Sequence, residues 1–224
     1  MLCAALFAVL AWQVSAAGPL RALDERLGRA VAVSAVAGSA VPTPLAEFFA
    51  DLGNTVVALP VLALAALYAA WAGRRAGVPR WWLPPLAAVL TMAVVPALVV
   101  PLKTWLARPG PPEMAGGAHD GFFPSGHGAT AAVAYGAVVL LLAASRKHPR
   151  RPMPTAAAAV VGLLNLAVGI GLVRRGYHWP LDVLASWCLA GVLLTVCTAV
   201  CGRRADRPHG PDGQLATPNS SDAM

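Results

Sequence analysis

Six long apolar runs, set apart by short charged segments, constrain this chain more than any motif in it. They cover residues 2–17, 54–72, 82–102, 126–145, 155–173 and 181–201. About 20 apolar residues of helix cross the ~30 Å of a bilayer's hydrocarbon. In lipid the backbone must satisfy its own hydrogen bonds, so runs of this length read as helices. Of the 224 residues, 58% are hydrophobic and 12% are charged. A soluble domain carries about 25% charged residues, so a soluble fold is excluded. The expected fold is all-α: a bundle of six transmembrane helices over residues 1–201, with short interfacial helices between the first two spans. Residues 202–224 are rich in Asp, Pro, Ser and Gly without apolar periodicity. They read as a disordered cytosolic tail.

The first run is the weakest. Val14-Ser15-Ala16-Ala17 imitates a signal-peptide cleavage site, but no basic segment precedes the run. We read it as an uncleaved anchor. The net charge of +7 would suggest nucleic acid in a soluble protein. Here it describes topology, and no nucleic-acid partner is expected. With the N-terminus inside, ten of the seventeen basic residues fall in cytosolic segments: Arg74, Arg75, Arg80, Arg146, Lys147, Arg150, Arg151, Arg203, Arg204 and Arg207. The positive-inside rule then puts both termini in the cytosol and the motifs described below on the extracytoplasmic face of the cytoplasmic membrane.

Between the first two spans, Leu20, Leu23, Leu27 and Val31 alternate with Arg21, Asp24, Glu25 and Arg29 at amphipathic spacing. A second short helix is expected from Thr43-Pro44, with the threonine as cap. Its Glu47 and Asp51 should face water and its Phe48, Phe49 and Leu52 lipid or protein. Both helices read as interfacial, forming a lid or a lipid entrance, or a packed connector. Trp71, Trp81 and Trp82 read as interfacial anchors, and Tyr177 and Trp179 as interfacial packing. Cys3, Cys188, Cys197 and Cys201 lie within or at the ends of spans, with no Cys-x2-Cys pair, and read as small buried hydrophobes. His119 and Asp120 read as a solvated loop, and His148 and His209 as cytosolic residues without a role.

Three segments at one membrane face carry ionisable groups: Lys103 to Arg108-Pro109, then Pro124-Ser125-Gly126-His127, then Arg174-Arg175-Gly-Tyr-His178-Trp-Pro-Leu-Asp182. Ionisable residues are costly near lipid and are functional candidates there. Arginine forks, a lysine and free helix N-terminal amides are what a phosphate needs. Ser125, Gly126 and His127 open a span, and Gly126 lets an anion approach the backbone. His178 and Asp182 are four apart and can meet on one helical turn. A carboxylate on one ring nitrogen fixes the tautomer and frees the other to attack phosphorus. His127 would then protonate the leaving oxygen and later activate water. This scheme calls for no metal and no cofactor.

These segments resemble the type 2 phosphatidic acid phosphatase family of membrane lipid phosphatases, relatives of acid phosphatases and vanadium haloperoxidases. The family pattern is Lys-x6-Arg-Pro, Pro-Ser-Gly-His and Ser-Arg-x5-His-x3-Asp. The resemblance covers the six-span layout and all three segments, roughly residues 1–201, and implies a helical bundle. It implies catalytic roles for His178, His127 and Asp182, and phosphate binding by Lys103, Ser125 and Gly126. Two arginines are displaced. The family's Arg-Pro would fall at Gly110-Pro111, but Arg108-Pro109 comes two residues early. The family's Ser-Arg would fall at Gly171-Leu172, whereas Arg174 and Arg175 follow. If the fifth span is still helical there, Arg175 shares the face of position 172. We assign Arg108, with Arg174 or Arg175, to the missing cations.

The expected function is therefore a phosphatase acting on a lipid phosphate at the outer interface: a polyprenyl diphosphate, phosphatidate or phosphatidylglycerophosphate. Its partners would be that substrate and the surrounding membrane lipids. The alternative is a catalytically impaired lipid-phosphate binder or transport-associated protein, which the displaced arginines favour and the intact histidines oppose. A channel or proton-coupled transporter would need ionisable groups at several depths, whereas here they gather at one face. Membrane embedding disfavours a haloperoxidase.

Overall fold

The structure, a computed structural model, describes residues 1–36, 42–114, 121–145 and 155–203. His119, Asp120, His148, His209, the segment with Arg146 to Arg151, and residues 204–224 lie outside the described residues. Within them the chain is all-helical: α1 (Leu2–Ser15), α2 (Pro19–Val36), α3 (Thr43–Asp51), α4 (Thr55–Arg75), α5 (Leu83–Leu106), α6 (Gly126–Ala144), α7 (Thr155–Arg174) and α8 (Pro180–Arg203), with a single 3-10 turn at Pro112–Met114. Helices α4 to α8 are each long and apolar enough to cross a membrane, which makes this a multi-pass membrane protein. Helix α1 has 14 residues, about 21 Å at 1.5 Å per residue, short of a full crossing. It turns by 82° into α2, and only as that bent pair do the two pass the same test of length and hydropathy.

Helix α6 is the centre of the bundle and touches α4, α5, α7 and α8. Its buried face carries Ala129, Ala131, Ala134 and Ala137. Such small side chains let neighbouring helices approach closely, which is how helices pack when the surrounding solvent is as apolar as the core. Tyr135 carries its hydroxyl to the Leu52 carbonyl at 2.7 Å, tying α6 to the turn before α4. Leucines on the outer helices, such as Leu64, Leu67 and Leu163, stay exposed and face lipid.

Local signals explain the helix ends. Asn54 caps α4 by accepting the Val56 N–H at 3.2 Å, and Arg74 and Arg75 sit in its last turn, where cations offset the dipole. Helix α5 closes on Ala107 in the left-handed region (φ 42°), whose N–H returns to the Lys103 carbonyl at 2.9 Å. That turn sends Arg108 into the protein. Gly121 packs against it, and a Cβ there would lie 2.2 Å from the Lys103 carbonyl oxygen.

Two expectations about the connector change. Thr43 is the first residue of α3 and makes no capping hydrogen bond; Pro42 takes the cap position. In α2 the amphipathic pattern is turned outward. Leu20, Leu23 and Leu27 are exposed while Asp24 is buried. In an apolar solvent the leucines face out, and Asp24 finds its partners inside the protein, while Arg21 and Glu25 pair half-buried and Arg29 stays exposed.

Candidate active site

The last motif forms a tight polar turn at the start of α8. His178 precedes the helix and Asp182 stands in its first turn. Their spacing still brings His178 Nδ1 to 3.4 Å from Asp182 Oδ2. The same oxygen accepts the Trp179 N–H at 3.1 Å, the reach-back of an acidic residue at the third helical position to the cap residue. The Ser125 N–H donates to the Asp182 carbonyl at 3.0 Å. This bond fixes the start of α6 against the start of α8, so the second and third motifs meet.

At the α6 terminus, Ser125 is fully buried and its Oγ accepts the Gly128 N–H at 3.1 Å. It is the helix cap, and its hydroxyl proton remains available to donate. His127 is exposed. Gly126, His127 and Lys103 line one end of a cavity of about 850 Å³ between α4, α5 and α6, whose walls include Leu59, Leu62, Val95 and Val99. A Cβ at Gly126 would meet only Val99 Cγ1, at 3.9 Å. The protein's own packing therefore does not require a glycine there; a ligand against the α6 amides would.

The cations divide into different environments. Arg108 is almost completely buried between two carboxylates. Its Nη1 donates to Asp182 Oδ1 and its Nη2 to Asp24 Oδ2, each at 2.5 Å. The Trp179 ring lies 5.7 Å from its guanidinium carbon, and Trp179 Nε1 donates to the Pro109 carbonyl at 3.0 Å. Trp179 is thus a buried wall of the site rather than interfacial packing. Asp24, which sequence reasoning placed on a solvated face, also accepts the Leu181 N–H at 2.8 Å. The signal for it was an acid at i+4 from Leu20 and i−3 from Leu27, leucines that point to lipid.

Arg175 goes elsewhere. Helix α7 ends at Arg174 and the Arg175 N–H still reaches the Gly171 carbonyl at 2.9 Å, but the side chain turns to α3 instead of the motif face. Its Nε pairs with Glu47 of α3, and Glu47 also accepts the Tyr177 hydroxyl at 2.7 Å. The Tyr177 hydrogen bond, and after it the Arg175 guanidinium, hold the Glu47 carboxyl below its ordinary range despite some desolvation. Glu47 is therefore a latch between α3 and the motif loop, where open water was expected. Arg174 is buried, and its Nε has no hydrogen-bond partner among the described residues. Leu172, at the family's arginine position, is fully buried in the apolar core.

The four cysteines are free, with Cys188 and Cys197 buried and Cys3 and Cys201 partly so.

Three comparisons bear on identity. The family model described as the PAP2 superfamily matches residues 84–206, a stretch that holds all three motif segments and leaves α1 to α4 outside. A crystal structure of a transmembrane PAP2-type phosphatidylglycerolphosphate phosphatase from Bacillus subtilis has the same architecture, with a TM-score of 0.73. The match covers 90% of this chain and 96% of that one at 20% identity, so it speaks for the fold alone. No curated protein matches the chain by sequence. With more than half of its length under the family model, the protein belongs to the PAP2 superfamily, the type 2 phosphatidic acid phosphatases.

Proposed function

We propose that the protein is a metal-independent lipid phosphate phosphatase of the cytoplasmic membrane, with its site on the extracytoplasmic face. One observation carries the reading: an oriented His178–Asp182 pair is tied by backbone to the α6 N-terminus, whose Gly126 and His127 stand with Lys103 of α5 at the end of an apolar cavity. A phosphate headgroup fits the polar end and a lipid tail fits the walls. His178 attacks phosphorus through Nε2, with Asp182 holding Nδ1–H. His127 protonates the departing oxygen. The resulting phosphohistidine is cleaved by a water that His127 deprotonates. The α6 amides, the Ser125 hydroxyl and Lys103 stabilise the equatorial oxygens. Arg174 supplies the further cation.

Substrates that fit are phosphatidate, a polyprenyl diphosphate and phosphatidylglycerophosphate, the last being named for the Bacillus subtilis protein of like fold. The test is phosphate release from each by purified protein in detergent with chelator present, beside His178→Ala. Release that disappears in the variant supports the phosphatase and ranks its substrates. Binding of these lipids without release would instead favour the impaired binder, the reading that the engagement of Arg108 and Arg175 by carboxylates supports.

A further inference from the structure

We propose that Asp24 of α2 is a positioning residue of the active site and that Arg108 is its link to Asp182, not a ligand of the substrate phosphate. The inference rests on the phosphatase reading above and assigns a role within that site to a helix outside the region the family model matches.

The geometry is that of a closed relay. Trp179 holds the cap position of α8 with a side chain that cannot cap, and Pro180 begins the helix. The free amide of Leu181 is satisfied instead by Asp24 Oδ1, from another helix. The second oxygen of Asp24 takes Arg108 Nη2, while Arg108 Nη1 takes Asp182 Oδ1. Asp182 Oδ2 is thereby left to the Trp179 amide and His178 Nδ1. The side chains of Arg108, Asp24 and Asp182 are at most 1% exposed. A phosphate binding the terminal nitrogens of Arg108 would have to displace a buried carboxylate; the Nε, also buried, has no hydrogen-bond partner among the described residues. Asp24 acts by holding both the backbone of the α8 turn and the guanidinium that orients its catalytic carboxylate.

The test compares wild type, Asp24→Asn, Arg108→Gln and the double variant on phosphatidate in detergent micelles. It reads kcat, KM, inhibition by orthophosphate and melting temperature. Arg108→Gln leaves two buried carboxylates facing each other, so we expect kcat to fall about 1,000-fold with the lowest melting temperature of the set. Asp24→Asn should lower kcat about 10-fold, with KM and the orthophosphate Ki within about 2-fold of wild type. Adding Asp24→Asn to Arg108→Gln removes one of those carboxylates and should recover about 10-fold in kcat over Arg108→Gln alone. A merely structural role would not give this split or this recovery.

A rise of about 10-fold or more in the Ki of orthophosphate in Arg108→Gln, with no recovery in the double variant, would overturn the proposal and make Arg108 a phosphate ligand. An unchanged kcat in Asp24→Asn overturns it as well. Should Arg108→Gln fail to fold, the kcat and KM of Asp24→Asn decide alone. A wild-type protein without His178-dependent release sinks the phosphatase reading separately. Calorimetry of orthophosphate on wild type and Asp24→Asn then decides: equal affinity and a lowered melting temperature keep the relay, while weakened affinity refutes it.

Discussion

The two sides of the site are built in opposite ways. On the α2 side, Asp24, Arg108 and Asp182 are buried; the carboxylate oxygens and both terminal guanidinium nitrogens are engaged with one another and the α8 turn, and only the Arg108 Nε of the three has no partner among the described residues. On the α4–α5 side, Gly126, His127 and Lys103 stand at the end of a large apolar cavity. A buried charge is tolerated only when paired, so the first side is fixed and costs several kcal/mol to break. The second side keeps open space and helix amides where an incoming anion can lie. The contrast teaches which cations to assign to substrate: proximity to a motif histidine is not enough, because both terminal nitrogens of the Arg108 guanidinium are already held by buried carboxylates.

Breaking the fixed side at its catalytic end should have the largest effect. His178→Ala removes the proposed nucleophile, and we expect phosphate release to fall about 10⁴-fold or more, read as initial rates on phosphatidate. On the open side, His127→Gln should cost roughly 10²- to 10³-fold in kcat, as loss of a general acid does. Rapid-quench detection of a phosphohistidine separates the two: His127→Gln should still accumulate the intermediate when a good leaving group is offered, and His178→Ala should not.

Gly126→Ala sharpens the comparison most cleanly. The added methyl meets only Val99 at ordinary contact distance, so the melting temperature should hold. Affinity for orthophosphate should weaken about 10-fold, or ~1.4 kcal/mol, because the methyl takes the anion's place. A glycine needed only for packing would show the reverse.

The smallest effect is expected at the α3 latch. The Glu47 carboxyl is held below its ordinary range by Tyr177 and Arg175. Its contribution is therefore complete above the unfolded-state value of about 4.3 and is lost as pH falls through the lowered folded-state value. Wild type should lose more melting temperature between neutral and acidic pH than Glu47→Gln does. Partial solvent screening keeps the difference small. Equal acid sensitivity in both proteins would show that the latch adds nothing to stability.

The apolar runs dictated the helices almost alone, because a lipid-facing backbone has no other way to satisfy itself and few polar residues interrupt the pattern. Pro-Ser-Gly-His and the His178–Asp182 spacing were legible for a similar reason: a cap and a four-residue step act within one turn of chain. The destinations of the long cationic side chains were not. Arg108 and Arg175 each reach a carboxylate far away in sequence, Asp24 and Glu47. No spacing encodes those pairings; they exist because α2 and α3 fold over the motif face. The polar face of α2 illustrates the same point, since periodicity shows that a stripe exists but not which solvent lies beyond it. Local hydrogen bonding and hydropathy thus determined the spans, the helix starts and the histidine–aspartate pair. Only the tertiary packing decided which charges are buried against one another and which face the cavity, because a buried charge takes its partner from whatever helix lies beside it.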